Sequence, residues 1–261
     1  MRRSARPLCI AAVSLCFGPV ALADTKVTYE SGGTDASSIA VQGDLVRWEM
    51  TDGTPNAHSM LYDNKKKKIS FVDLKHKQIH EMDESTLAKM RAMRAEMQPM
   101  MEQMRQQLKN MPPEQRRMME KQMPQLQGMR GAGGGKNAVT ARKGKKTKIK
   151  GYPCQVVDML FNDRALHQMC VAEPAAVGMS RRDYNTMLGM FEFMDKMAQA
   201  SPMAPKRFGG MLKGVPVQMK DLGTGKVQTV KSVSNARLSK DTFKLPPYKR
   251  VDPMARPPRM R

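Results

Sequence analysis

The chain has 261 residues, of which 45 are Lys or Arg and 24 are Asp or Glu, so its formal net charge is +21. A charge of this size favours polyanions as partners. After residue 23 no further apolar run is long enough to span a bilayer, which excludes a membrane protein with several spanning helices.

The first 23 residues predict a cleavable secretory signal. Arg2, Arg3 and Arg6 form a basic start, an apolar stretch runs from Leu8 to Leu22, and Ala21-Leu22-Ala23 forms a small-x-small cleavage site before Asp24. We therefore expect a periplasmic protein whose net charge after residue 23 is about +18. The anions available there are phospholipid headgroups, lipopolysaccharide and acidic proteins. We expect no nucleic-acid partner, and a peripheral contact with an anionic membrane surface.

Residues 24–82 predict the first part of an antiparallel sheet. Short β-rich runs are separated by turn signals such as Gln42-Gly43-Asp44 and Asp63-Asn64. The predicted strands are 38–41, 45–50, 58–62, 68–72 and 78–82. We expect residues 24–82 and residues 147–251 to form a single β-rich domain within 24–251.

A methionine-rich helical insertion, 83–127, interrupts this predicted domain. Twelve of the 27 methionines fall between Met82 and Met129, and five of them repeat every seventh residue. Such a repeat places side chains along one line of an α-helix. The five are Met90, Met97, Met104, Met111 and Met118. Pro99 and Pro112-Pro113 predict two or three helical pieces rather than one, and a flexible basic linker, 128–146, follows.

Thioethers are flexible, polarizable and weakly ligating, so the methionines allow several interpretations. The favoured interpretation is an adaptable apolar cover that binds a ligand. Its candidate residues are Met90, Met93, Met97, Met100, Met101 and Met104. The alternative is a Cu(I) site made by Met97, Met100, Met101 and Met104. A third interpretation is a chaperone-like protein-binding surface, and for any single methionine ordinary helix packing is the simplest explanation.

Cys154 and Cys170 are the only cysteines after the predicted signal. They lie in predicted strands, 148–160 and 165–172, that flank a turn at Asn162-Asp163. A hairpin folded at residue 162 brings the two cysteines face to face, within reach of a disulfide in some registers. An oxidising compartment favours that bond, and a closed loop of this size would contribute about 3 kcal/mol.

The remaining chain predicts a helix and further strands. A helix is expected over 181–200, with core positions Tyr184, Met187, Leu188, Phe191, Met194 and Met197 at helical spacing. Strands are expected over 216–222, 227–234 and 242–245. A disordered tail is expected over 252–261.

No residue pattern indicates an active site. His76 and His80 would share one face of a regular strand, but no cysteine or acidic pair at ligand spacing accompanies them. No serine lies in a nucleophile-elbow motif. The pair Asp83-Glu84 stands where a helix begins, and the helix dipole explains it. We expect a protein that is not an enzyme and that carries no cofactor or metal.

Three sequence patterns resemble a group of uncharacterised envelope proteins of Gram-negative bacteria, which is similar to the periplasmic lipoprotein carriers of the Lol type. They are Gly151-Tyr152-Pro153-Cys154, Met169-Cys170-Val171-Ala172 and the closing run from Phe243 to Val251. The resemblance covers roughly 26–82 and 147–251. It implies an α+β fold in which a curved open antiparallel sheet, a half-barrel, wraps around helices and leaves an apolar cavity under a helical lid.

The function expected from these observations is a binding or carrier protein for an apolar or acyl-bearing envelope ligand, either a lipid or a lipoprotein. Copper handling by the Met-rich helices is the first alternative. A chaperone-like protein-binding module is the second.

Overall fold

The computed structural model describes residues 24–50, 58–110, 112, 139–161, 163–200 and 213–253. Twelve strands within these residues form one continuous sheet in the order β12-β6-β5-β4-β3-β2-β1-β11-β10-β9-β8-β7. The sheet is open, because its two outer strands, β12 and β7, do not pair with each other. Two α-helices accompany it in the described part of the chain.

The first six strands follow one another in sequence as a meander. They are β1 (Thr25–Ser31), β2 (Thr34–Gln42), β3 (Leu45–Met50), β4 (His58–Asp63), β5 (Lys68–Asp73) and β6 (Gln78–Asp83). The five predicted strands correspond to β2 through β6, so the turn signals located this half of the sheet correctly. Strand β1 was not among the predicted strands. It pairs with β2 on one side and with β11 on the other.

The second half of the sheet follows helix α1 (Glu84–Asn110). It comprises β7 (Val139–Ile149), β8 (Tyr152–Phe161), β9 (Arg164–Ala172), β10 (Val215–Asp221), β11 (Val227–Ser234) and β12 (Lys249–Val251), with helix α2 (Arg181–Ala200) between β9 and β10. Strand β7 begins at Val139, so the last eight residues of the predicted linker 128–146 are strand. Its outer position lets a polar, lysine-rich sequence form a strand without burial.

The core lies between the sheet and α2. Buried side chains of the central strands, such as Val27, Val41 and Val217, pack in one cluster with Met187 and Phe193 of α2. Helix α2 has the predicted bounds. Met190 and Phe193 are more deeply buried than the predicted core positions Leu188 and Phe191, which shows that the buried face of α2 is rotated from the predicted one.

The predicted fold class is wrong. The sheet is mixed rather than antiparallel, because β12 runs parallel to β6. Strands dominate the described chain, and the sheet is not wrapped around helices. Of the two helices, α2 contacts β2 and β3, whereas the Met-rich α1 chiefly contacts α2 and β6. The open sheet itself agrees with the prediction.

Helix α1 is also simpler than predicted. It continues through Pro99 as one helix of 27 residues. Proline leaves a carbonyl one turn earlier without its hydrogen bond, and the helix surface around Ala95 is exposed, so water can hydrate that carbonyl. The start of α1 is anchored in the protein, where Leu87 is fully buried in the core.

The structure contradicts one further prediction and does not describe the residues of three others. The strand predicted over 242–245 is wrong, because Lys240–Phe243 form a 3₁₀ helix capped by the Ser239 hydroxyl, which accepts from the backbone N–H of Asp241. The predicted signal at 1–23, the end of the insertion and most of the predicted tail lie outside the described residues. Neither described helix has the length and apolar character needed to cross a membrane.

Candidate functional site

A cavity of about 610 Å³ lies between the sheet and α2. Its wall is formed by seven neighbouring strands, which in sheet order are β3, β2, β1, β11, β10, β9 and β8. One face of α2 covers it. The apolar residues that line it are Tyr29, Ile39, Trp48, Met159, Met169, Phe191, Met194, Ala198, Pro216 and Met219. This volume is in the range of small-molecule binding sites.

Three aromatic side chains of the cavity wall are held by specific contacts. The rings of Trp48 on β3 and Phe191 on α2 meet edge-on, with centroids 6.1 Å apart. The Tyr29 hydroxyl on β1 donates to the Pro216 carbonyl at 3.0 Å. Complete burial raises the pKa of Tyr29, so this phenol stays neutral and its ring forms part of an apolar surface.

One buried donor in this wall has no partner within the described residues. The indole Nε1 of Trp48 is buried and forms no hydrogen bond there. An unpaired buried donor costs free energy. An alkyl chain has no acceptor atom, so an apolar ligand at this wall would leave the donor unpaired.

Polar side chains gather at one end of the cavity, near the start of β9 and the end of β10. Strand pairing places His167 opposite both Met159 and Asp221, and the Asp221 N–H donates to the Lys226 carbonyl at 2.9 Å. The His167 Nδ1 lies 3.9 Å from Asp221 Oδ2. His167, Asp221 and Lys226 therefore form a polar row that begins beside Met159 of β8 and ends in the β10–β11 turn. All four residues line the cavity.

Backbone N–H groups of the β10–β11 turn stabilise the carboxylate of Asp221. Asp221 Oδ1 accepts from the backbone N–H groups of Thr224 and Gly223, each at 2.8 Å. These hydrogen bonds, with that of Thr224 the largest cause, hold the pKa of Asp221 below its usual value. The exposed Lys226 ammonium forms no ion pair within the described residues.

Polar anchors fix α2 over the cavity. The Thr25 hydroxyl donates to the buried carboxylate of Asp183 at 2.7 Å, and the Thr186 hydroxyl donates to the Gly43 carbonyl at 2.9 Å. Gly189 allows close approach to the β4–β5 turn, because an added Cβ would stand 2.8 Å from Asn64 Oδ1. The beginning and middle of α2 are thus held against the meander.

The predicted disulfide between Cys154 and Cys170 is confirmed, with a Cα–Cα distance of 5.4 Å. The two cysteines are not directly opposed as predicted. Cys154 stands opposite Ala172 and Cys170 opposite Val156. The hairpin pairs Phe161 with Arg164, one residue away from the pairing of a hairpin folded at residue 162, and the register shifts by one further residue between Met159 and Leu160. The bond therefore links β8 and β9 diagonally, away from the polar row of the cavity.

Comparison with known proteins gives little beyond this geometry. The chain matches no protein-family model and no curated protein. Among solved structures it is similar to an uncharacterised conserved protein from Thermus thermophilus, with a TM-score of 0.39 and 8% identity over 89% of this chain and 91% of that one. It is also similar to the Pseudomonas aeruginosa MucA/MucB complex, with a TM-score of 0.31 and 11% identity over 86% of this chain and 56% of that chain. Both TM-scores are too low to support an inference about fold or function.

The structure places the predicted methionine stripe away from the cavity. Met90 is half-buried and packs against the core. Farther along α1, Met93, Met97, Met100 and Met104 are 48%, 40%, 64% and 37% exposed. The side chain of Met101 lies outside the described residues, as do Met111 and Met118. None of the described stripe residues lines the cavity, so their role in ligand binding stays a prediction.

Sequence reasoning missed most of the methionines that line the cavity. Met159, Met169 and Met219 lie on three adjacent strands, and strand pairing places Met169 directly opposite Met219. Met194 is the exception, because its helical spacing predicts a core position. The available signal was the placement of a methionine in each of three separate predicted strands.

The histidines occupy separate positions. His76 lies in the β5–β6 turn, where its Nδ1 is 2.7 Å from Asp73 Oδ2, whereas His80 lies within β6. They do not share one regular strand. Within the described residues no three His, Cys, Asp or Glu side chains are grouped closely enough to hold a metal ion.

Proposed function

We propose that this protein is a periplasmic, non-enzymatic binding protein that holds the acyl chain of a lipid or lipoprotein in the cavity under α2. The observation that carries the proposal is the cavity itself, a mainly apolar space of about 610 Å³ in which His167, Asp221 and Lys226 lie together at one end. Other polar lining residues, among them Ser37 of β2 and the buried Asp195 of α2, lie elsewhere in the wall. Small-molecule sites commonly combine an apolar lining with a few polar groups that fix orientation.

The energetics favour a chain of moderate length. Each buried methylene contributes about 0.8 kcal/mol, so ten methylenes would contribute on the order of 8 kcal/mol before the costs of immobilisation. Four methionines in the wall, Met159, Met169, Met194 and Met219, adapt to ligands of different shape because their side chains have several rotatable bonds.

The polar row gives the ligand a direction. Lys226 and His167 lie at one end of the cavity, and Ile39, Trp48 and Phe191 supply apolar surface elsewhere in the wall. We infer that the tail of the ligand contacts the aromatic residues, while an anionic head group lies near Lys226.

Purification from host membranes tests this function. Organic extraction of the purified protein followed by mass spectrometry should identify an acyl-bearing compound, and added lipids should raise the melting temperature because a ligand bound to the native state stabilises it. Absence of both effects would contradict the proposal.

The exposed thioethers of α1 favour a second candidate, Cu(I) binding. Met93, Met97, Met100 and Met104 occupy one side of a helix and are 37% to 64% exposed, and thioethers are soft ligands that suit Cu(I). Competition of the whole protein with a coloured Cu(I) chelator tests it. Replacing Met97, Met100 and Met104 by Leu should abolish copper uptake, whereas the matched variant with Leu at Met159, Met169 and Met219 should keep it. Equal uptake by both variants would exclude this site.

A further inference from the structure

The outermost strand β7 is the most strongly basic element of the described chain. Its eleven residues, Val139–Ile149, include Arg142, Lys143, Lys145, Lys146 and Lys148 and no acidic residue. One of its edges pairs with β8, and the other edge has no strand partner among the described residues. All five cationic side chains are exposed.

Few of these charges are neutralised. Arg142 pairs with Asp158 at 3.0 Å, and Lys150, in the turn that follows, pairs with Glu30. The four lysines within β7 form no ion pair in the described part of the chain. Lysines on an edge strand also prevent unwanted strand pairing, but one or two would suffice for that purpose.

Strand register places three of these lysines on the same side of the sheet as part of the cavity wall. Lys143 stands opposite Val157, Lys146 opposite Gln155 and Lys148 opposite Pro153. Paired residues of neighbouring strands point to the same face, and alternate residues of β8 share that face. Lys143 and Lys146 lie three positions apart, and the register shift between them brings both to this face. The next residue of β8 on this face is Met159, which lines the cavity. The row of charge thus lies one strand spacing, about 4.8 Å, from β8.

We propose that β7 is a docking surface for a bilayer that contains anionic phospholipid, with Lys143, Lys146 and Lys148 contacting the phosphate groups. The composition of β7 favours a membrane over a protein partner. Protein interfaces usually have aromatic or apolar residues at their centre, whereas the exposed side chains between Thr140 and Lys148 are threonine, alanine, arginine and lysine. Clusters of lysine bind anionic bilayers without such residues.

Docking in this orientation would bring the β8 side of the cavity next to the membrane, where an acyl chain could enter or leave. That consequence rests on the proposed function. The docking itself does not depend on what the cavity holds, so the two can be tested separately.

Vesicle co-sedimentation of the purified protein tests the docking. Wild type should bind vesicles of phosphatidylcholine with a quarter phosphatidylglycerol and should not bind pure phosphatidylcholine. Binding should weaken as salt concentration rises. Replacing Lys143, Lys146 and Lys148 by Gln should lower the partition coefficient roughly fivefold for each lysine, and so on the order of 100-fold in total.

The matched control removes the same net charge elsewhere. Lys65 and Lys75 are exposed turn residues, and Lys240 is the exposed first residue of the 3₁₀ helix. None of the three forms an ion pair in the described chain, and their replacement by Gln should lower partitioning much less. Equal losses in both variants would show that net charge alone attracts the protein, and failure of wild type to bind anionic vesicles would also overturn the proposal. Lipid extraction from the β7 variant distinguishes the two ideas, because a loss of docking with cavity lipid retained leaves the proposed function intact.

Discussion

Trp48 on β3 and Phe191 on α2 meet edge-on, with ring centroids 6.1 Å apart and ring planes at 74°. This contact joins the sheet to the helix that covers the cavity, and both rings line the cavity. Trp48 is the single tryptophan of the chain. Its fluorescence therefore reports on this wall without a background from other tryptophans.

Ligand entry should change that fluorescence. Titration with a saturated fatty acid should shift or quench the emission, because the ligand replaces water near the indole. Ala198 also lines the cavity, and replacing it by Phe should reduce ligand affinity at least tenfold by occupying the space. Ala92 is an exposed alanine of the other helix, so replacing it by Phe is the matched control and should leave affinity unchanged. A response that is the same in all three proteins would place the ligand elsewhere.

The start of α1 should be sensitive to acid. Asp83 Oδ1 accepts from the Thr86 N–H and hydroxyl at 2.8 and 2.9 Å and from the Ser85 hydroxyl at 2.8 Å. These bonds, with that of the Thr86 N–H the largest cause, lower the pKa of Asp83 to about 2. A pKa lowered in the folded state stabilises the protein above the unfolded-state pKa, near 4, and this stabilisation is lost as pH falls toward 2.

Replacing Asp83 by Ala should therefore cost about 1 kcal/mol at pH 7, the usual value of a helix cap, and less as pH falls from 4 to 2. Urea unfolding of both proteins at several pH values measures the difference. Replacing Glu96, an exposed acid in the middle of α1, removes a charge without removing a cap and should change stability by less than about 0.5 kcal/mol. A cost at position 83 that does not depend on pH would contradict the role assigned to the carboxylate.

The disulfide should contribute about 3 kcal/mol, as expected for a loop of this length. Cys154 and Cys170 are separated by 16 positions, and both are buried. Guanidinium unfolding with and without a strong reductant should show this loss for wild type. The variant with Ala at both positions should have the stability of the reduced protein and no response to reductant. A double variant as stable as oxidised wild type would show that packing between β8 and β9 is sufficient.

Sequence patterns predicted local structure better than they predicted which elements meet. Turn residues located β2 through β6, and helical spacing gave α2 its bounds, because both signals depend on neighbouring residues. The pairing of Phe161 with Arg164 and the register shift between Met159 and Leu160 depend on the whole hairpin, so the diagonal geometry of the disulfide could not be predicted from the midpoint of the loop.

The helices also show that local structure was easier to predict than contacts between elements. A seven-residue repeat of methionines correctly indicates a helix, but it does not indicate what the helix contacts. Leu87 and Met90 contact the core, and the exposed methionines farther along do not line the cavity. Phe191 and Met194 of α2 occupy the position that the sequence assigned to the methionine stripe.

The head group of the ligand should be recognised by Lys226. Its ammonium is exposed at the polar end of the cavity and has no ion pair within the described residues, so a ligand carboxylate or phosphate can pair with it. Exposed ion pairs contribute about 0.2 to 1 kcal/mol. Replacing Lys226 by Gln should therefore weaken dodecanoate binding by roughly 1.5- to 5-fold and leave dodecanol binding unchanged, because the alcohol carries no charge.

The Trp48 titration measures both ligands, and the exposed Lys240, which does not line the cavity, supplies the matched Lys-to-Gln control. Raising the salt concentration should reduce the difference between wild type and the Lys226 variant for dodecanoate, since screening weakens exposed charge pairs. If the Lys226 variant lost affinity equally for the acid and the alcohol, the side chain would act by shaping the cavity rather than by binding the anion. The ligand head group would then have to lie at another part of the rim.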